Sequence, residues 1–145
     1  MKPSKVQVVV FRRHPVDLEP QILILEKAAP TGTTWHLVTG FIESGEEAVE
    51  TALREVEEET GIESLGEPID LEHEITFVSR FTHKPELEKA FAIESLNLSE
   101  KVDISDNPDQ EHTGYRWVDA EEAHLLLQWD SFKDSIHSLL QLLQD

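Results

Sequence analysis

The sequence predicts an α/β protein in which a mixed β-sheet is sandwiched between helices. Three observations point to it. Runs of β-branched and aliphatic residues stand before, between and after helical stretches, without the regular strand-helix alternation of an all-parallel sheet. A strongly amphipathic helix in the middle of the chain has both of its ends marked. The length, 145 residues, suits one compact domain and is short for two, so residues 1–145 are expected to form a single domain.

The elements follow in order. Val6 to Phe11 and Ile22 to Leu25 read as strands, and His14 to Pro20 as the turn that makes them a hairpin. Ala28 to Thr34, with Pro30 and Gly32, reads as a loop delivering Trp35 and the short apolar segment Leu37-Val38 ahead of Gly40. From Glu46 to Thr60 the period changes: Val49, Ala52, Leu53 and Val56 recur at i, i+3, i+4 and i+7, the stripe of a helix with one buried face. Ser44 with Glu47 matches a capping box at its start, and Gly61 tolerates the positive φ of a helix terminus. Ile75 to Phe81 and Phe91 to Glu94 are predicted strands joined by a polar connection, Thr82 to Glu88, and Tyr115 to Val118 is another strand. Asp119 is placed to cap a helix through Ala123 to Leu127, and Ser131 to cap a last one carrying Ile136, Leu139, Leu140 and Leu143.

Composition removes several classes of function. Without cysteine there is no disulfide, zinc-thiolate site, iron-sulfur cluster or thiol nucleophile, so a metal must be held by oxygen or imidazole. A formal charge of −18 repels polyanions and argues against a nucleic-acid polymer as partner; an anionic substrate would need a cation beside it. The same acidity is also explained by solubility or a salty cytoplasm. No apolar stretch is long enough to span a membrane, and the N-terminus lacks a secretory pattern, so a cytoplasmic location is the default expectation.

On the central helix, Glu55, Glu58 and Glu59 are spaced by three and four, which brings their carboxylates to a common side. Three like charges repel there unless a cation gathers them. Carboxylates are hard ligands for magnesium or manganese, and those ions accompany phosphate chemistry. Spacing alone leaves an acidic solvated helix face as the alternative.

The longer pattern decides between them. Gly40-x5-Glu46-x7-Arg54-Glu55-Val56-x-Glu58-Glu59-x-Gly61-Ile62 resembles the Nudix box at every defining position. The resemblance implies a Nudix-type α/β/α sandwich with a mixed sheet. It also implies an Mg2+- or Mn2+-dependent pyrophosphohydrolase, whose metal sits on Glu55, Glu58, Glu59 and the Gly40 loop. Arg54, four residues from Glu50 and from Glu58, would pin the acidic side chains, or else makes only a surface ion pair. Glu58 is a candidate for removing a proton from water, with the choice among the glutamates open. The family at times supplies a base outside the box, and Glu111 is the candidate, an ordinary loop acid being the alternative. Glu111 with His112, Tyr115, Trp117, Val118 and Asp119 resembles the late motif of the dihydroneopterin triphosphate and dATP pyrophosphatase branch. Trp35 to Gly40, with Thr39 where many relatives carry glycine, resembles the same branch.

Three substrate contacts are expected: Thr39, Trp35 stacking on a base or pterin ring, and Lys27 meeting a phosphate. Trp35 as a core aromatic and Lys27 as a solvated cation are the alternatives. The expected partner is a small phosphorylated molecule, with neither nucleic-acid polymer nor membrane involved, and no feature speaks to oligomeric state. The expected reaction splits a nucleoside or pterin triphosphate to monophosphate and pyrophosphate. Alternatives are a dinucleoside polyphosphate or other nucleoside-diphosphate-linked substrate, or a module that binds a nucleotide without cutting it.

Overall fold

A computed structural model of the chain describes residues 1–105 and 112–144. The strands are β1 (Pro3–Arg13), β2 (Pro20–Ala29), β3 (Gly32–His36), β4 (Val38–Phe41), β5 (Ile69–Val78), β6 (Pro85–Glu94) and β7 (His112–Asp119). The helices are α1 (Ala48–Thr60), α2 (Ala120–Leu126) and α3 (Asp130–Gln144). The strands form one sheet in the order β3-β2-β1-β6-β5, with β4 paired to β1 and β7 to β2. β1 and β6 run parallel, from Lys5 beside Glu88 to Phe11 beside Glu94, and the other pairs are antiparallel. The expected mixed sheet between helices is observed.

Both faces of the sheet are covered, which explains why β1, apart from Gln7, is apolar from Val6 to Phe11 rather than alternating. Val9 and Phe11, with Ile22 and Ile24, join the core beneath α2 and α3; Val6, Val8 and Val10, with Leu23 and Leu25, join the core beneath α1. Each fully buried aliphatic side chain contributes roughly 1.5–3 kcal/mol. β1 is shared along its length: its second half pairs with β2 and its first half with β4. The sheet therefore splits beside β1, and a cleft opens at the split.

Several predicted boundaries shift. Ala28 to Thr34 is a tight hairpin instead of a loop: Ala29 faces Gly32 across Pro30-Thr31, and Gly32 takes φ +135°. β5 ends at Val78, and the supposed polar connection is largely the start of β6, because Glu86 and Glu88 lie in register with Phe77 and Ile75. The helix predicted from Glu46 starts at Ala48; Glu47 is its N-cap, and the Glu50 carboxylate accepts from the Glu47 N–H at 2.9 Å, so Ser44 is not the cap. α3 begins at Asp130, which puts Ser131 inside its first turn. Asp119 does cap α2, accepting from the Glu122 N–H at 2.8 Å, and Gly61 closes α1 at φ +71°. Among the described residues, no helix is long and apolar enough to cross a membrane.

Candidate active site

The cleft has a volume of about 1010 Å³. Its walls include Thr39, Gly40 and Phe41 of β4, Glu55, Glu58 and Glu59 of α1, Lys27 of β2, Glu88 of β6 and the turn Ser79-Arg80-Phe81. Four of its side chains, Lys5, Lys27, Arg54 and Arg80, are cations, which gives an anionic ligand a foothold in an otherwise acidic protein.

α1 is rotated from the face its apolar stripe suggests. Val49 is 40% exposed, whereas Thr51, Ala52, Val56, Glu59 and Thr60 are buried. The rotation carries Glu55 and Glu59 inward. The polar residues on this inner face find partners: Thr60 donates to the Val56 carbonyl at 2.6 Å and Thr51 to Glu46 at 2.7 Å.

Glu55 packs directly over Gly40, where a Cβ would fall far inside van der Waals contact with the Glu55 carboxyl group. That is the physical requirement for glycine at the end of β4. Burial and then repulsion by Glu59 push the Glu55 carboxyl up to about 8, even with Arg54 nearby. Glu59 is also buried, and it meets His112 Nε2 at 2.9 Å. Glu58 is the exposed member and takes an Arg54 N–H at 3.2 Å.

Arg54 is a hub. It grips Glu46 with two nitrogens at 2.7 and 3.0 Å, donates to Glu55 at 2.9 Å and Glu58 at 3.2 Å, and reaches the Phe41 carbonyl at 3.1 Å. Bound first by Arg54, Glu46 is held down to about 2, and the guanidinium in turn is raised above its ordinary value. The expected Glu50 partner is engaged instead in the helix cap. Arg54 is thus a strut between the loop before α1 and the acidic side chains.

The structure tests whether this set suits a divalent cation. Among the described residues no three acidic or histidine side chains already converge on one point. The donor chemistry nonetheless fits: hard carboxylate oxygens, with half-buried Glu55 and buried Glu59 each opposing the other's ionisation, packed on a glycine whose missing Cβ leaves space for the Glu55 carboxyl.

The other expected residues fall in different places. Thr39 and Lys27 line the cleft. Trp35 does not; its ring packs against the core below α3, with the Arg116 guanidinium 5.8 Å from its centre. Glu111 lies outside the described residues. Glu88 lines the cleft but was no candidate in the sequence, where it sat in a supposed connection. Two supports behind the cleft were not singled out either: Glu46, which holds Arg54, and the wholly buried Gln7, a polar residue in an apolar strand. The period of β6 could have revealed Glu88, since Glu88, Ala90 and Ala92 share a face.

A sequence model of the NUDIX domain matches residues 1–140. The rat bis(5'-nucleosyl)-tetraphosphatase (asymmetrical) is 33% identical over 142 residues, covering 94% of this chain and 92% of that protein. The dihydroneopterin triphosphate diphosphatase of Escherichia coli K12 is 27% identical over 150 residues, covering 96% and 93%. Among solved structures, a Listeria monocytogenes protein assigned to the NUDIX hydrolases superposes with a TM-score of 0.81 at 28% identity, covering 99% of this chain and 95% of that one.

Proposed function

The chain belongs to the NUDIX domain family, as a hydrolase of phosphoanhydride bonds, and from that premise we propose that it uses Mg2+ or Mn2+ to split a nucleoside or pterin triphosphate into monophosphate and pyrophosphate. The observation that carries the reading is the packing of Glu55 over Gly40 and against Glu59, beside Glu58, on the wall of a cleft that also carries Lys27 and Arg54. Glu55, Glu58, Glu59 and the Gly40 carbonyl would hold the metal, which when bound supplies positive charge to the phosphates and acidifies water. Lys27 neutralises phosphate oxygens along the cleft and orients the chain of phosphates. Arg54 keeps the glutamates from rotating away, and Glu58, the exposed carboxylate, accepts the proton of the attacking water. Glu111 is a second candidate for that proton.

A second reading is favoured by one observation: at 33% identity, the rat bis(5'-nucleosyl)-tetraphosphatase (asymmetrical) resembles the chain over nearly its whole length. The cleft, at about 1010 Å³, also has room for a second nucleoside. The discriminating experiment measures product release from nucleoside triphosphates, dihydroneopterin triphosphate and dinucleoside tetraphosphates, with Mg2+ or Mn2+, for the wild type beside Glu58→Gln. Pyrophosphate plus monophosphate from a triphosphate supports the first reading, and preferential cleavage of a dinucleoside tetraphosphate supports the second. Absence of turnover on all of them by the folded wild type overturns both.

A further inference from the structure

Away from α1, the cleft carries a group of side chains that phosphate chemistry does not use. The rings of Phe41 and Phe81 meet edge to face, with centroids 6.1 Å apart, yet Phe41 is 44% and Phe81 67% exposed. The Arg80 guanidinium lies 5.1 Å from the Phe81 ring centre, and the remaining apolar surface of both rings is open to the cleft. Lys5 Nζ lies 5.4 Å from the Phe41 and Phe77 ring centres and 3.5 Å from Glu88 Oε1, which ties the aromatic wall to a carboxylate.

Glu88 is 7% exposed and lines the same cleft. It is anchored from behind: Gln7, wholly buried in β1, donates to Glu88 Oε2 at 2.5 Å, and Ser135 of α3 donates to Gln7 Oε1 at 2.5 Å. The turn bearing Phe81 is anchored too. The buried Ser79 hydroxyl accepts the Phe81 N–H at 3.2 Å, and Glu86 accepts the Thr82 hydroxyl at 2.7 Å. The aromatic wall and the carboxylate are therefore preorganised.

We infer that this end of the cleft is the subsite for the heteroaromatic ring of the substrate, with Phe81 stacking on the ring, Phe41 meeting its edge, and Glu88 accepting a hydrogen bond from its exocyclic amine. The inference rests on reading the cleft as the seat of a nucleoside or pterin phosphate. An ionised carboxylate has about four lone-pair sites, so Gln7 and Lys5 leave Glu88 capacity for further donors. A ring face suits exposed phenyl groups, and an amine donor suits a carboxylate already drawn out of water. A phosphate is repelled from Glu88, which gives the substrate one direction in the cleft.

Calorimetric binding of guanosine, adenosine and inosine 5'-monophosphates tests the subsite without turnover. Inosine lacks the exocyclic amine of both others. The wild type is expected to bind guanosine or adenosine monophosphate about tenfold more tightly than inosine monophosphate. Glu88→Met, which removes the acceptor at similar length, should abolish that preference rather than weaken all three alike. Phe81→Ala, at an exposed position where folding is not at stake, should weaken all three about tenfold, with Phe81→Tyr restoring them. Equal binding of inosine monophosphate by the wild type, or unchanged binding by Phe81→Ala, overturns the inference. Turnover on the substrate panel is read separately, so failure of the subsite is distinguishable from failure of the proposed chemistry.

Discussion

Glu55 and Glu88 line one cleft at nearly equal burial, with side chains 14% and 10% exposed, yet their surroundings differ in kind. Glu88 is met by an amide and an ammonium, each brought from β1. Glu55 is drawn out of water and faces the buried Glu59, and Arg54, shared among several acids, does not offset the two: burial first, and then that repulsion, push the group up to about 8. One carboxylate finds its partners within the protein, and the other keeps its proton up to about pH 8 unless a cation favours its ionised form. Residue type does not distinguish them. Neighbours do, and they assign the two ends of the cleft to different parts of a substrate.

The largest expected effect breaks the Glu55 end. Gly40→Ala forces Glu55 off its seat, and kcat/KM should fall about a hundredfold. Steady-state kinetics on the best substrate measures it. Arg54→Lys comes next: a lysine cannot grip Glu46 with two nitrogens while reaching Glu55 and Glu58, and turnover should fall on the order of tenfold.

A pH series sharpens the comparison without any substrate. Glu55 ionises near 4.5 when unfolded and about 8 when folded, so between those values the folded protein holds the extra proton. Stability of the metal-free protein should therefore fall as pH rises from about 5 to about 8. Melting curves of Glu55→Gln should lack that slope, and saturating Mg2+ should flatten it in the wild type. The smallest effect concerns the other end: Ser135→Ala removes one buried hydrogen bond to Gln7 and should cost about 1 kcal/mol in urea unfolding.

Much of the α1 end was legible in the sequence because its signals are local. The spacing of Glu55, Glu58 and Glu59, Gly40 at the strand end, Gly61 at the helix end and the Asp119 cap depend on residues close in the chain. The Glu88 end was not, because it is assembled by the parallel pairing of β1 with β6 and by α3 reaching Gln7 across the sheet. Gln7 interrupts an apolar run, and nothing near it in sequence names Ser135 or Glu88. The rotation of α1 was hidden for a related reason: Val49 supports the apolar stripe, but Thr51 and Thr60 can be buried because each donates to a nearby acceptor. Glu47 displaced Ser44 as the cap because Glu50 could reach back to it.

Mn2+ binding followed by electron paramagnetic resonance shows directly which carboxylates of the cleft call for a cation. Glu59→Gln should weaken Mn2+ binding at least tenfold, while Glu88→Gln binds Mn2+ as the wild type does. Undiminished binding by Glu59→Gln, or an equal loss in Glu88→Gln, would contradict the division of the cleft into a metal end and a ring end.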